Sequence, residues 1–281
     1  MSPLRQQMND AMVLRGLSLR TRETYLACVT ALARYYRCSP DQLDASRIQA
    51  YLLFLITEKK LAYASVNQAA CAIRFLFGKV LRQPVVESDI PMAKVPKRLP
   101  RVLAREEVVH LFDACTSMRA RAVLQTTYAA GLRVSEVCAL QLADIESAPD
   151  RMCIKVRQGK GGQDRYTLLS PQLLALLRDY RCAYRSRHWL FPNPSGQSCI
   201  GIQTAQRIYA AARDAAGLPP SGGIHTLRHC FATHLLESGV DLYTLQRLLG
   251  HGHIASTMRY LHLAQSQLTA TPSPLDLLAS I

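Results

Sequence analysis

Along the first 82 residues the hydrophobic positions recur at helical spacing, and the breaks between them carry helix-start signals. Ser18 stands where an N-cap belongs, and Tyr25, Val29, Leu32 and Tyr36 follow at i, i+4, i+7 and i+11. Beyond Ser39-Pro40, the positions Ile48, Tyr51, Leu52 and Leu55 share one face of a second helix. Ser65-Val66-Asn67-Gln68 reads as a capping box ahead of Val66, Ala70, Ile73, Phe77 and Val80. Together with the opening stretch, these segments predict four helices, enough to close a small bundle.

The pattern breaks over residues 83–103. Pro84, Pro91, Pro96 and Pro100 forbid a regular helix or a central strand, and Lys94, Lys97, Arg98 and Arg101 keep the segment solvated. This predicts a basic linker between domains 1–82 and 104–281, either a plain tether or a strap along a phosphate backbone. From residue 104 helices return, with one exception. Met152–Val156 and Arg165–Leu169 read as short strands around a glycine-rich turn, and Ser170-Pro171 restarts a helix with a cap and a proline at its first position.

Charge narrows the function. The chain carries 34 Lys+Arg against 20 Asp+Glu, a formal +14. Both parts share the excess, with 15 basic and 7 acidic residues up to residue 100 and 19 and 13 after it. A polyanion touching both parts is the simplest partner, and nucleic acid is the commonest one in a cell. A membrane partner finds no support: the longest apolar run, Tyr51–Ile56, is far short of the roughly 20 residues that span a bilayer. The opening residues lack the apolar stretch of a secretory signal, so a cytosolic location is expected. Nine scattered cysteines without a C-x-x-C pair read as reduced thiols, not as a disulfide or zinc framework.

Candidate chemistry concentrates near the C-terminus, where six of the eight histidines (225, 229, 234, 251, 253 and 262) fall. His225 and His229 lie one helical turn apart, a spacing compatible with metal ligands, but carboxylates are sparse there and Arg228 would sit beside any cation. No metal is therefore expected. Arginine and tyrosine suggest a different site. Arg133 stands where a glycine-broken turn enters a helix, with Glu136 one turn on to orient it, and His225 and Arg228 share a helical face. Lys160 lies in the glycine turn, Gly250-His251 ends a helical run, and Tyr260 follows nine residues after His251. Two arginines can grip a phosphate, tyrosine forms a reversible phosphoester, and a lysine can protonate a leaving alkoxide.

Gly131-Leu-Arg133-Val-Ser-Glu136, His225-Thr-Leu-Arg228-His-Cys-Phe-Ala-Thr-His and Gly250-His251 with Thr257-Met-Arg-Tyr260 resemble the signature boxes of the tyrosine recombinases, the phage-type integrases. The resemblance spans essentially the whole chain and is closest to compact, two-domain Xer-like members. It implies a mainly α fold: an N-terminal four-helix, SAM-like core-binding domain, then an α-rich catalytic domain with a small β-hairpin or sheet. It implies Arg133 and Arg228 as phosphate-gripping arginines, with His251 as a third donor. Lys160 becomes the general acid toward the 5′ oxygen, and His225 an aid to proton transfer at the tyrosine. Tyr260 forms a 3′-phosphotyrosyl intermediate, and Glu136 supports the arginines.

The remaining histidines, 229, 234, 253 and 262, are expected to be mainly structural. The resemblance further implies a site-specific recombinase needing no metal, ATP or other cofactor. It would act on double-stranded DNA as a homotetramer bridging two sites through a Holliday junction. Residues 272–281 resemble in placement a segment that docks on a neighbouring protomer. Gly252-His253 departs from the family pattern and leaves the cap of the following helix open. Rival readings are a type IB topoisomerase-like relaxase and a non-catalytic DNA-binding protein.

Overall fold

The computed structural model describes residues 2–83, 89–94, 101–157 and 164–261. It divides into two compact units, Met1–Lys97 and Arg98–Ile281.

The first unit is built from helices α1 (Pro3–Val13), α2 (Leu19–Tyr36), α3 (Ala45–Thr57) and α4 (Tyr63–Phe75), the last continuing through a wider π turn at Leu76–Val80. Ser18 caps α2 by accepting from the Thr21 backbone N–H, and Asp44 caps α3 in the same way from Arg47. The predicted stripes form the core: Val29, Leu32, Ile48, Tyr51, Leu52, Leu55, Val66, Ala70, Ile73 and Phe77 are all buried against one another. Helix α4 starts earlier than the sequence suggests. Its N-cap is Ala62, so Ser65 is the third helical residue and bonds back to the Ala62 carbonyl instead of capping. Tyr63 and Ala64 are compatible with helix and extend it toward α3.

Part of the proline-rich segment is folded, not solvated. Ile90 is fully buried in the first core. Asn67 exchanges two hydrogen bonds with Ala93, donating to its carbonyl at 2.7 Å and accepting from its N–H at 2.8 Å. Arg74 and Gln49 donate to the carbonyls of Ile90 and Asp89. Prolines remove donors from this stretch, so side chains of the bundle supply the hydrogen bonds that its carbonyls need.

The second unit holds α5 (Arg105–Asp113), α6 (Met118–Ala129), α7 (Val134–Cys138), α8 (Pro171–Tyr184), α9 (Ile202–Ala215), α10 (His225–Glu237), α11 (Leu242–Leu249) and the short α12 (Ala255–Met258). Ser170 caps α8 and Pro171 opens it, as expected. Strands β1 (Ile145–Ala148), β2 (Arg151–Val156) and β3 (Arg165–Leu168) form an antiparallel sheet in sequence order. Ile154 of β2 faces Ile145 on one side and Thr167 on the other. The sequence pattern predicts β2 and β3 but misses β1, whose Ile-Glu-Ser-Ala lacks a hydrophobic alternation. Pairing with β2 across the tight Pro149-Asp150 connection makes it a strand.

Helix α10 is buried on nearly every side, from Thr226 and Leu227 through Cys230, Phe231 and Ala232 to Leu236. Its buried faces pack against α6 and α11, and its polar side chains Arg228 and His234 are buried with them. Its entry is fixed from the N-terminal side of the unit. Leu103 donates its N–H to Cys230 Sγ, and its carbonyl lies 3.0 Å from His234 Nε2. His234 also meets the Tyr128 hydroxyl at 2.8 Å, which makes it a structural histidine. All nine cysteines are free thiols.

Candidate active site

Arg228 sits one turn into α10 and is 1% exposed. A buried guanidinium demands partners for its fork of donors. It donates to the carbonyls of Gly131 and Leu249, both at 2.7 Å. These carbonyls lie at the C-terminal ends of α6 and α11, where the helix dipole and unpaired carbonyls favour a cation. Burial first, and the charge of Arg133 second, lower its pKa to about 9, so it stays protonated at neutral pH. Gly131 adopts a left-handed φ of 59°, and a Cβ there would stand 2.4 Å from the Phe231 ring. Gly131→Ala is therefore expected to cost at least about 2 kcal/mol from backbone strain plus overpacking. Thermal denaturation beside the parent protein checks this, and an unchanged midpoint would contradict the contact.

The sharp turn at Gly131 delivers Arg133 to the N-cap of α7, and Glu136 lies at the third position of that helix. Glu136 Oε2 accepts from the Arg133 backbone N–H, and Oε1 from its guanidinium, each at 2.7 Å. Strand β3 brings Arg165 to the same carboxylate in a bidentate pair at 2.8 Å, while Arg165 Nε donates to the Leu248 carbonyl at 2.9 Å. Arg228 stands 3.6 Å from Glu136 Oε2. The side chains of Glu136 and Arg165 are only 7% and 8% exposed. Burial pushes the Glu136 pKa up, but the hydrogen bonds and charge of Arg165, then Arg133 and Arg228, outweigh it and hold it at about 2. One carboxylate thus gathers three guanidinium groups. The cluster keeps two uncompensated positive charges.

His251 follows Gly250, which closes α11 at a left-handed φ of 61°. Its Nδ1 lies 2.9 Å from Thr257 Oγ1, and its Nε2 lies 3.2 Å from Arg228 Nη2. Because arginine only donates, Nε2 presents its lone pair to Arg228 and Nδ1 donates to Thr257. Burial, Arg228 and Arg133 lower its pKa to about 3, which fixes a neutral ring at ordinary pH. Helix α12 starts without a side-chain cap, with the His253 carbonyl accepting from Ser256. Four residues later Tyr260 lies 2% exposed, its ring parallel to His251 with centroids 6.4 Å apart. The Tyr260 hydroxyl is 3.0 Å from His229 Nδ1, and burial raises its pKa against the opposing pull of Arg228.

The structure therefore brings Arg133, Glu136, Arg228, His251 and Tyr260 into one cluster. His225 stands beside it, edge-on to His229 with ring centroids 4.9 Å apart. Lys160, Lys97 and Arg98 lie outside the described residues. Lys94 is exposed on the first unit. Arg101 is tied to Glu107 and Ser221 within the second, so its guanidinium is engaged by the protein itself. Sequence reasoning missed three members: Arg165, Thr257 and His229. Arg165 reads as the first residue of a strand, and Thr257 falls within the signature stretch before Tyr260 but with no role of its own. His229 carried a signal, its spacing from His225, which pointed toward metal and not toward Tyr260. Among the described residues no group of three His, Cys, Asp or Glu side chains is placed to hold a metal ion.

Residues 4–87 match the phage integrase N-terminal SAM-like domain, and residues 101–267 match the phage integrase family. The chain is also 42% identical over 279 residues to a putative integrase/recombinase of Sinorhizobium fredii, covering 99% of this chain and 90% of that one. The chain belongs to the phage integrase family, the tyrosine recombinases. Another relative, the tyrosine recombinase XerD of Caulobacter vibrioides, is 33% identical over 250 residues, with 80% and 79% of the two chains covered. The fold of this recombinase matches that of a lambda integrase tetramer bound to a Holliday junction, with a TM-score of 0.72 at 21% identity over 92% of this chain and 76% of that one. Its two family matches leave between them residues 88–100, within the proline-rich stretch. No helix among the described residues of the recombinase is long and apolar enough to cross a membrane.

Proposed function

We propose that this tyrosine recombinase breaks a DNA strand by attack of the Tyr260 hydroxyl on phosphorus, forming a 3′-phosphotyrosyl link, and rejoins strands by the reverse step. The observation that carries the assignment is the charge of the cluster. Three arginines around the single carboxylate of Glu136, with His251 neutral, leave two positive charges beside a phenol. A phosphodiester carries one negative charge and the pentacoordinate state formed by attack carries two. The cluster suits the second better than the first, which is what transition-state stabilisation requires.

Each residue then has a role. Arg133 and Arg228 bind the non-bridging oxygens bidentately. His251 adds a donor once phosphate replaces it as the partner of Arg228, Thr257 accepting or donating as the imidazole tautomer changes. Glu136 aligns the arginines. Lys160, in the glycine-rich stretch between Val156 and Arg165 of the sequence, protonates the leaving 5′ oxygen. The bond energy is kept in the phosphotyrosine, so a freed 5′-hydroxyl of a partner strand can attack it without ATP or a metal. Duplex DNA is the substrate, drawn by the positive charge that both units carry, with Lys94, Lys97 and Arg98 of the proline-rich stretch as contacts; Arg101, held by Glu107 and Ser221, is not one of them. A homotetramer on two sites exchanges the strands.

Trapping tests this reading. Nicked duplexes cut from the DNA flanking the coding gene are incubated with the protein in EDTA, and the products are separated in SDS. The expected result is a covalent protein–DNA band whose nucleotide-bearing peptide contains Tyr260. Loss of the band in EDTA, or a modified residue other than Tyr260, would overturn it.

A further inference from the structure

We infer that His229 is the proton acceptor for Tyr260, a catalytic residue placed by the hydrogen bond between its Nδ1 and the reacting hydroxyl. The proposal rests on the reading of Tyr260 as nucleophile. His229 lies four residues after His225 on α10, half-buried, with its ring tilted against that of Tyr260 at a centroid distance of 5.7 Å. Its Nδ1 is 3.0 Å from the phenol oxygen. No other histidine in the cluster is so placed. His251 lies parallel to Tyr260 and commits Nδ1 to Thr257 and Nε2 to Arg228. His225 packs edge-on against the ring of His229.

The chemistry balances without an added reactant. As the Tyr260 oxygen bonds to phosphorus, its proton moves to His229 Nδ1. The bond from phosphorus to the 5′ oxygen breaks, and that oxygen takes a proton from Lys160. Religation reverses the flow, the imidazolium of His229 returning its proton to Tyr260 as the phosphotyrosine is cut. The groups that face His229 make this conditional on substrate. Burial first, then His225, Arg259 and Arg228, lower its pKa to about 4. It is therefore neutral and able to accept at ordinary pH. A scissile phosphate neutralises the arginines, and the doubly charged transition state then favours an imidazolium nearby.

The test is the pH dependence of covalent adduct formation by the parent enzyme, His229→Gln and His229→Ala on the same nicked duplexes. The parent is expected to change little between about pH 6 and pH 9, because His229 is already neutral there. His229→Gln keeps a hydrogen-bond acceptor but cannot hold the proton. Its rate should fall by about 10²-fold or more at neutral pH and climb about tenfold per pH unit, since attack then requires prior ionisation of the phenol. Added imidazole should raise the rate of His229→Ala, whose truncation leaves a ring-sized gap. A merely packing role would lower the rate equally at all pH values and leave imidazole without effect, which would overturn the proposal. Faster cleavage by either variant would also overturn it, by making the hydrogen bond a latch on Tyr260. If the parent forms an adduct at Tyr260 and His229→Gln matches it, only this inference fails. If the parent forms none, the assignment of Tyr260 fails first.

Discussion

Tyr260→Phe is expected to reduce covalent adduct formation to background while leaving DNA binding within a few-fold of the parent. The change removes the single oxygen that attacks phosphorus and nothing else. Phenylalanine keeps the ring packed beside His251 and within the cluster of Phe231, Leu245 and Leu249 that buries Tyr260. The structural loss is the hydrogen bond to His229, a neutral pair in a half-buried setting. Removing it costs about 1 kcal/mol, and more if no water satisfies His229 Nδ1. The melting temperature should therefore move by only a few degrees. Gel-shift affinity, SDS-resistant adduct and thermal midpoint measured together separate the roles. A phenylalanine variant that still forms the adduct would remove Tyr260 from the reaction. One that loses both DNA binding and much of its stability would make the tyrosine a core residue first.

Much of the fold is carried by periodicity that a sequence states openly. The stripes at Val29 and Leu32, at Ile48 through Leu55, and at Val66 through Phe77 are the ones that close the first unit, because helix spacing alone decides which residues can meet. Boundaries were less legible. Ser65 looks like a cap, yet α4 begins at Tyr63, since side-chain capping competes with the continuing preference of neighbouring residues for helix. Strand β1 was invisible because its partner, not its own pattern, makes it a strand. The burial of Ile90 was hidden because the basic residues of its segment read as keeping it solvated, and only the bundle's Asn67, Arg74 and Gln49 reveal where the carbonyls of Ala93, Ile90 and Asp89 find donors.

The site divides in the same way. Arg133 with Glu136, and His225 with Arg228, are local constellations whose geometry follows from one helix turn. Arg165 joins Glu136 across 29 positions, and His229 meets Tyr260 across 31, so each is legible only after folding. The pairings also show why the cluster is rigid. Arg165 binds Glu136 and the Leu248 carbonyl, Arg133 binds Glu136 and reaches the Gly250 carbonyl, and Arg228 binds Gly131 and Leu249. Strand β3, helix α7, helix α10 and the end of α11 are thereby held by one network in which every cation has a fixed anion or carbonyl.

Glu136→Gln tests that network and is expected to be the most destabilising substitution of the site. The amide is nearly the same size, but it carries no charge and has one acceptor oxygen where Arg165 now uses two. Three guanidinium groups then face one another without a counter-charge. Breaking a buried ion pair by removing one partner costs about 3–5 kcal/mol, which for a unit of this size lowers the melting temperature by roughly 10 °C. Cleavage should fall by at least about 10²-fold as Arg133 and Arg165 lose their alignment.

Acid supplies the control. The Glu136 pKa is held at about 2, below the range of a carboxyl in the unfolded chain, so its stabilisation is complete above about pH 4.3 and is lost as pH falls toward 2. That shift corresponds to about 3 kcal/mol in the parent. Glutamine cannot titrate and has nothing of this kind to lose. Melting curves at neutral pH and near pH 3 should therefore show the gap between parent and variant narrowing in acid. A gap that stays constant would mean that Glu136 contributes through its shape and not through its charge, and the excess positive charge that suits the cluster to a phosphorane would need another counter-ion.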